Sequence, residues 1–197
     1  SYLKAFHEKH GQKHVRFYFP EGENIPSELT EYAKGDNFTI GFMELYAIQP
    51  SQFPEVKAQP DIDIQTVSDK TIDLFLQYKY QQDSEFGSNY AEQKQAQHLR
   101  NFKGEKIQQL IAFYQGKLAG SVDVIISEDI AEIDSLMVHE NFQKLGIGSR
   151  LQKFVMDQFH DKTIILVADG EDTPKEMYRK QNYQYLGLQY EALKVYE

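Results

Sequence analysis

The stretch FQKLGIGSRLQKFVMDQF, residues 142–159, decides the fold because a glycine turn leads directly into an amphipathic helix. Gly146 and Gly148 flank a single isoleucine where that helix begins. The first amides of a helix lack intrahelical acceptors, and the helix dipole makes this end positive. Glycine lets a backbone approach a ligand closely, so such a turn can bind a phosphate group. A plain helix-capping loop is the alternative, because a short glycine-rich turn is a weak signal by itself.

The segments on either side of this turn indicate a β-α-β unit. Residues 131–139 predict a strand before the turn, and the apolar run 163–169 predicts a strand that is buried on both faces. The turn then lies at the carboxyl end of a strand, where open α/β sheets bind ligands. The turn is not a P-loop, because the second glycine is not followed by a lysine and then a hydroxyl residue. It is not a dinucleotide-binding fingerprint either, because a third glycine is missing.

Periodicity extends this unit in both directions. Upstream, it predicts a strand, two helices and two strands, at residues 61–67, 71–82, 88–102, 107–115 and 118–129. Downstream, it predicts a helix with Pro174 in its first turn and a last strand, at residues 173–183 and 183–197. Ser68 is the predicted N-cap of the first upstream helix. The N-terminal part reads helix, strand, helix, strand, at residues 2–10, 14–20, 25–35 and 38–48.

A proline-rich stretch separates these two parts of the chain. Three of the six prolines fall between residues 49 and 61, which is typical of a linker. We therefore predict a domain boundary near residue 58. Residues 1–58 are expected to form a small α/β accessory region, to which the sequence assigns no function. Residues 59–197 are expected to form the main domain.

Composition narrows the class of protein. Lys and Arg total 21 against 30 Asp and Glu, so the formal net charge is −9, and neither nucleic acid nor an anionic membrane is an expected partner. A cationic amine substrate fits this charge better. Without an apolar run of roughly 20 residues or a secretory signal pattern, we expect a cytoplasmic protein. The sequence has no cysteine, and its six histidines lack metal-ligand spacing, so no metal is expected.

A family resemblance makes the turn specific. The run Gln143-Lys144-Leu145-Gly146-Ile147-Gly148 resembles the (Gln/Arg)-x-x-Gly-x-(Gly/Ala) pyrophosphate loop of the GCN5-related N-acetyltransferase (GNAT) superfamily. IDSLMVH, residues 133–139, resembles the central strand of that family, and DTPKEMYRKQNYQYLG, residues 172–187, resembles its next motif. The resemblance extends over residues 61–197. It implies a mixed, mostly antiparallel central sheet flanked by helices.

The resemblance also implies acetyl-CoA as co-substrate. The coenzyme pyrophosphate would lie on the turn, and the pantetheine arm would bind the backbone of the central strand, where one amide also polarises the thioester carbonyl. Glu171 stands seven residues before Tyr178, the tyrosine of the second motif, at a position where many relatives have an asparagine. It is a further candidate for a contact with the pantetheine arm. The full set of coenzyme candidates is Leu136, Met137, Val138, Gln143, Lys144, Leu145, Gly146, Ile147, Gly148, Ser149 and Glu171.

The catalytic groups are less completely specified. By resemblance, Tyr178 would protonate the departing thiolate of coenzyme A. The general base is open, with Asp134 as our tentative choice. The other candidates are a second carboxylate on the same strand, Glu132, and two in the loop between the upstream helices, Asp83 and Glu85. Aromatic residues of that loop region could stack on an acceptor: Tyr78, Tyr80, Phe86 and Tyr90.

The resulting prediction is an N-acetyltransferase that passes the acetyl group of acetyl-CoA directly to an amine in a ternary complex. Because cysteine is absent, a cysteinyl acyl-enzyme is excluded. One alternative is a coenzyme A-binding sensor or interaction module that has lost turnover. Another is a structural protein whose N-terminal part mediates homodimerisation. The sequence does not choose among polyamine, aminoglycoside, amino acid, peptide or lysine acceptors.

Overall fold

The computed structural model describes residues 2–171 and 175–196. Its helices and strands, in chain order, are α1 (Tyr2–Lys9), β1 (His14–Tyr18), α2 (Ser27–Gly35), β2 (Thr39–Ile48), β3 (Ile62–Thr66), α3 (Ile72–Asp83), α4 (Ser88–Lys103), β4 (Ile107–Tyr114), β5 (Lys117–Ile126), β6 (Ile130–Val138), α5 (Ile147–Gln158), β7 (Thr163–Asp169), α6 (Lys175–Lys180) and β8 (Gln184–Val195). This order confirms the predicted α/β class and the predicted sequence of elements.

The start of α3 differs from the prediction. Ser68 is not the cap of α3, which begins at Ile72 with Thr71 before it. Instead, the Ser68 carbonyl accepts hydrogen bonds from the amides of Thr71 and Ile72, so a tight turn precedes the helix. The predicted position of Pro174 lies outside the described residues, as do the two residues before it.

The chain divides into two compact units. One combines Ser1–Ala47 with Val167–Glu197, and the other is Ile48–Leu166. We call them the terminal unit and the middle unit. The domain boundary predicted near residue 58 stays a prediction, because compactness and the ability to fold alone are different properties.

The middle unit is built on the antiparallel strands β3, β4, β5 and β6, each paired with the next. At the far side β6 pairs in parallel with the first residues of β7, as expected when a helix connects two neighbouring strands. Successive side chains of a strand point to opposite faces. Gly120 and Val122 of β5 face α5, whereas Asp123 points to the opposite face, toward α4. Helices therefore cover both faces of this sheet.

Apolar burial holds the middle unit together. The amphipathic α5 buries Ile147, Leu151 and Val155 almost completely, as its i, i+4, i+8 spacing predicts. On the other face, Phe75 of α3 and Ile111 of β4 belong to one buried cluster. Each large apolar side chain that is fully buried stabilises the fold by about 1.5–3 kcal/mol.

The terminal unit contains β1, β2 and β8. The long strand β8 pairs antiparallel with β1 on one edge and with β2 on the other. Val15, Ala33 and Ala192 are among its buried residues. The strands predicted at the N-terminal end thus belong to the same compact unit as the last strand of the chain. Among the described residues, no helix is both long and apolar enough to cross a membrane.

Candidate active site

A β-bulge interrupts the strand β6 in the middle unit. Asp134 pairs with Asp123 and Met137 pairs with Ser121, so two residues of β6 lie opposite one residue of β5. Ser135 has a φ of 50°, in the left-handed region that residues with a side chain seldom adopt. Bulges bend a strand and redirect its backbone groups, and they are frequent beside active sites.

The parallel pairing of β6 ends just before this bulge. It covers four residue pairs, from Ile130 with Thr163 to Ile133 with Leu166. The antiparallel pairing with β5 continues to Val138. Within the described middle unit, the segment with Leu136, Met137 and Val138 therefore pairs with a strand on one edge only. Its remaining main-chain groups are the ones that the sequence predicted for the pantetheine arm.

The glycine turn follows β6 after a short 3-10 helix, Glu140–Phe142. Lys144 and Gly146 have φ angles of 61° and 83°, so two left-handed residues reverse the chain tightly before α5. The first helical hydrogen bond recorded from this turn runs from the Arg150 amide to the Gly146 carbonyl, 3.0 Å away. The amides of Ile147 and Gly148 precede that bond, at the positive end of the helix dipole.

Local contacts fix the turn to the strand. The side-chain amide of Gln143 donates a hydrogen bond to the carbonyl of Val138 at 3.3 Å. A Cβ atom at Gly146 would lie 3.4 Å from the side chain of Gln59, closer than most Cβ contacts. At Gly148 a Cβ atom would only touch Val138 at 3.7 Å, so the fold has room for a side chain there. Gly148 is therefore a suitable position for testing ligand approach separately from folding.

Gly120 is a structural requirement of this region that the sequence prediction missed. A Cβ atom there would lie 2.8 Å from the carbonyl oxygen of Met137 and 3.4 Å from the side chains of Ile147 and Leu151. The missing side chain lets β6 and the first turn of α5 approach β5 closely. The available signal was a glycine inside an otherwise apolar strand, which often marks close backbone approach.

Tyr178 and Glu171 lie in the terminal unit. The ring of Tyr178 on α6 packs against Tyr46 and Tyr183, with ring centroids 5.1 and 5.7 Å away. Burial raises the pKa of the Tyr178 phenol, so the hydroxyl keeps its proton at neutral pH. Glu171 is exposed, and its backbone amide donates to a side-chain oxygen of Asp169 at 2.9 Å.

The candidate bases occupy different environments in the middle unit. Asp134 is exposed on β6, directly opposite Asp123. Glu132 is half-buried, and burial together with the charge of Asp134 raises its pKa. Asp83 ends α3, and Glu85 is exposed in the short 3-10 helix that follows. The structure thus brings three carboxylates together on neighbouring strands, Asp123, Asp134 and Glu132, of which the first was not predicted.

The four aromatic candidates near that loop do not share one environment. Tyr78 is buried, and burial raises the pKa of its phenol. Phe86 is 75% exposed and stacks edge-to-face with Tyr90, at a centroid distance of 5.6 Å. Tyr80 lies between these extremes and borders a cavity of about 460 Å³ between α3 and α4. Only Phe86 and Tyr90 offer an open aromatic surface in this set.

Asp123 belongs to a buried charged cluster with His98 and Lys79. All three are nearly inaccessible, at 4%, 5% and 4% exposure. The sequence prediction missed them because they come from β5, α4 and α3, and nothing local connects them. The one usable signal was an aspartate in the middle of the apolar strand LAGSVDVII.

Comparison with known families identifies the family of this chain. Residues 74–194 match the acetyltransferase (GNAT) domain model, and residues 1–46 match a domain of unknown function (DUF5613). The first match covers more than half of the chain, so the protein belongs to the GNAT acetyltransferase family. The predicted family membership is confirmed. No curated protein has a sequence that matches this chain.

Solved structures extend the comparison. A conserved protein of unknown function from Staphylococcus epidermidis is 35% identical over 100% of this chain and 78% of that chain, with a TM-score of 0.89. A GCN5-related N-acetyltransferase from Sphaerobacter thermophilus is 16% identical over 92% and 59%, with a TM-score of 0.66. AAC(6')-Iy, solved with a coenzyme A bisubstrate analogue, is 12% identical over 62% and 90%, with a TM-score of 0.51. The last two show a shared fold alone.

Proposed function

We propose that this protein is an acetyl-CoA-dependent N-acetyltransferase that transfers the acetyl group directly to an amine in a ternary complex. One observation carries the proposal: a bulged strand leads through a glycine turn into the N-terminus of α5, in a chain of the GNAT family. Acetyl transfer in general follows from the family. The coenzyme, the acceptor class and the route are what we propose.

The glycine turn is proposed to bind the coenzyme pyrophosphate. The backbone amides from Leu145 to Ser149 lie at the start of α5, and the helix dipole favours an anion there. Lys144 in the same turn adds a positive charge. Glycine at position 148 keeps the surface of the first helical turn low, so phosphate oxygens can approach the backbone.

The second half of β6 is proposed to bind the pantetheine arm. Its main-chain groups at Leu136, Met137 and Val138 have a strand partner on one edge only within the described middle unit. A backbone amide in this segment would donate to the thioester oxygen as negative charge develops there. Stabilisation of that charge is often the largest contribution to catalysis of acyl transfer.

Tyr178 is proposed to protonate the departing thiolate. Its raised pKa keeps the phenol protonated, so the proton is present when the C–S bond breaks. The same shift makes the phenol a weaker acid, but a thiolate with a solution pKa near 8.5 needs only modest assistance. Glu171 is proposed as a coenzyme contact that replaces the asparagine of many relatives.

An acceptor amine is proposed because the protein carries a net charge of −9 and an exposed carboxylate, Asp134, on β6. A field of this sign attracts ammonium groups. Asp134 would bind the ammonium and take its proton. With no cysteine in the sequence, a cysteinyl intermediate is excluded, which supports direct transfer.

The decisive experiment is a turnover assay with acetyl-CoA against a panel of amines, in which the released free thiol is measured. We expect turnover with at least one cationic amine. Release of thiol at the same rate with and without every amine would contradict the proposal. Calorimetric binding of coenzyme A in the absence of any turnover would instead support the coenzyme-sensor alternative.

A further inference from the structure

Asp123 occupies a position that aspartate seldom takes. It lies in the middle of β5, is 4% exposed, and is flanked along the strand by the buried residues Val122 and Val124. Burial of an unpaired carboxylate is costly, so such a residue usually has a neighbour that compensates its charge or a proton that neutralises it.

The neighbour of Asp123 on the helical side is the imidazole of His98. Its Nδ1 lies 3.7 Å from Oδ2 of Asp123, and its Nε2 lies 3.5 Å from Oδ2 of Asp83. Both distances exceed those of a hydrogen bond. Among the described residues neither ring nitrogen has a hydrogen-bond partner, although His98 is 5% exposed. The buried imidazole of His98, with no hydrogen-bond partner of its own in the described part of the chain, therefore lies between the carboxylates of Asp83 and Asp123.

The neighbour of Asp123 on the strand side is Asp134. The two residues are direct cross-strand partners, so their side chains lie on the same face of the sheet. Asp123 is buried, whereas Asp134 is exposed. A ligand on this face can therefore touch Asp134, and a change in the charge of Asp134 affects the buried carboxyl group of Asp123.

Neighbouring groups on α3, α4, β4 and β6 affect the pKa values of Asp123 and His98. Burial, and to a smaller extent the charge of Asp134, raises the pKa of Asp123 to about 6, against the opposing effects of Lys79, Lys94 and a hydrogen bond from Gln109. For His98, burial is the main cause of a pKa lowered to about 4, with Lys79 and Lys94 acting in the same direction and Asp83 against it. At neutral pH His98 is therefore uncharged and does not cancel the negative charge beside it.

We propose that Asp123 and Asp134 act as one base that shares a single proton, with Asp134 touching the acceptor ammonium and Asp123 as a buried positioning residue beside His98. This inference rests on the proposed acetyl transfer to an amine, and it adds a residue to that reaction. Two adjacent carboxylates bind a proton more tightly than either would alone, because both cannot ionise at low cost.

The proposed reaction removes two protons from the acceptor nitrogen, forms one C–N bond and breaks the C–S bond. An N–H bond of the acceptor ammonium breaks, and its proton passes to the carboxylate pair through Asp134. The freed lone pair on nitrogen attacks the thioester carbonyl carbon and forms the C–N bond. As the C–S bond breaks, the departing thiolate takes the proton of Tyr178. The nitrogen releases its second proton to water, and the Tyr178 phenolate regains a proton from water. The proton returns to water from exposed Asp134 after the acetylated product departs. No electron transfer is involved.

The cavity beside the glycine turn is a less suitable place for the ammonium. It has a volume of about 390 Å³, and Lys117, Tyr78 and His139 are among its lining residues. No carboxylate belongs to this described lining, and Lys117 repels a cation. The carboxylate pair on β5 and β6 is therefore the better base.

The test compares two acceptors in wild type and in Asp123→Asn, with the purified 197-residue chain. One acceptor is the best cationic amine found in the panel, and the other is an amine of low pKa, such as an acyl hydrazide, which is uncharged near neutral pH and needs no deprotonation before it attacks. For the cationic amine, we expect Asp123→Asn to lower kcat about tenfold and to move the acidic limb of the pH profile to lower pH, since the carboxyl group whose pKa is raised to about 6 is removed. The low-pKa amine should be spared.

Two further variants separate chemistry from folding. Asp123→Glu keeps the carboxylate and should restore the limb, whereas Asp129→Asn removes an exposed carboxylate from the turn after β5 and should change neither acceptor. Equal loss for both acceptors would overturn the inference, as would an unmoved limb. If Asp123→Asn does not fold, the pH profile of the wild type decides. An acidic limb near pH 6 in kcat with the cationic amine, absent with the acyl hydrazide, supports the carboxylate pair. The same limb with both acceptors overturns it. A wild type that acetylates no amine would overturn the proposed function as well.

Discussion

The glycine turn and the Asp123 cluster are two polar regions of the same middle unit, built in opposite ways. The turn presents main-chain amides from consecutive residues, and its shape depends on two left-handed residues, Lys144 and Gly146. The cluster presents side chains from three separate elements, and its properties depend on burial. The first region should be sensitive to added bulk and indifferent to pH. The second should respond to charge and to pH, but little to bulk at the turn.

Loss of the Tyr178 hydroxyl should give the largest effect on turnover. General acid assistance is typically worth about 10²–10⁴ in rate, so Tyr178→Phe should lower kcat by a factor in that range. The ring keeps its contacts with Tyr46 and Tyr183, so coenzyme affinity should stay unchanged. Steady-state kinetics and calorimetry together measure the two quantities.

A matched control is available in the same aromatic group. Tyr185 lies edge-to-face on Tyr46 at 5.7 Å, and Tyr185→Phe also removes one hydroxyl there. This variant should turn over like wild type. If Tyr178→Phe is equally active, the residue has a packing role. If its coenzyme binding collapses, it is a contact and the acid assignment is wrong.

A side chain in the glycine turn should have the next largest effect. Gly148→Val should weaken coenzyme A binding about 100-fold, equivalent to about 2.8 kcal/mol, because the methyl groups would separate the phosphate from the backbone. The fold has space at this position, so the unfolding temperature should fall little. Calorimetry measures the affinity and circular dichroism measures the unfolding.

Gly35→Val is the control for this change. Gly35 also lies in a helix, and a Cβ atom there meets nothing within 4 Å. Its affinity for coenzyme A should match wild type. Unchanged affinity in Gly148→Val would remove the turn from the binding site and break the distinction between the two regions.

The same contrast explains how far sequence alone could reach. The glycine turn, the flanking strands and the amphipathic α5 are local patterns, and the structure contains each of them where predicted. The pairing of β5 and the packing of two helices bring Asp123, His98 and Lys79 together. Their spacing in the sequence gives no sign of this contact. Gly120 lies between these cases, because its position in a strand was visible but its contact with Met137 was not.

The cluster should also be visible in the pH dependence of stability. Asp123 has a raised pKa in the folded state, so its contribution is present below about pH 4 and is lost as the pH rises through about 6. His98 has a lowered pKa, so its contribution is present above about pH 6.5 and is lost as the pH falls through about 4. In wild type these two effects oppose each other between pH 4 and 6.

Single variants should therefore expose opposite slopes. Relative to wild type, the free energy of unfolding of Asp123→Asn should rise by up to about 3 kcal/mol between pH 4 and 6. For His98→Asn the relative value should rise as the pH falls from 6.5 to 4. Urea titrations at several pH values measure both. If the free energy of unfolding changed with pH in the same way in the variants and in wild type, Asp123 and His98 would have ordinary pKa values in the folded protein. The expected difference in pH response between the cluster and the turn would then be wrong.

The smallest expected effect concerns the capture of the acceptor. The net charge of −9 and the exposed Asp134 attract cations over a distance that salt shortens, with a Debye length of about 10 Å at 0.1 M. Between about 0.05 and 0.5 M salt, kcat/KM for a cationic amine should fall a few-fold, because its encounter rate declines. The value of kcat/KM for an uncharged amine such as an acyl hydrazide should change much less. Asp134→Asn should reduce the salt dependence of the cationic acceptor, whereas Asp129→Asn should leave it nearly as in wild type. A preference for anionic acceptors, with capture independent of salt, would contradict the electrostatic attraction and leave Asp134 only its role as a base.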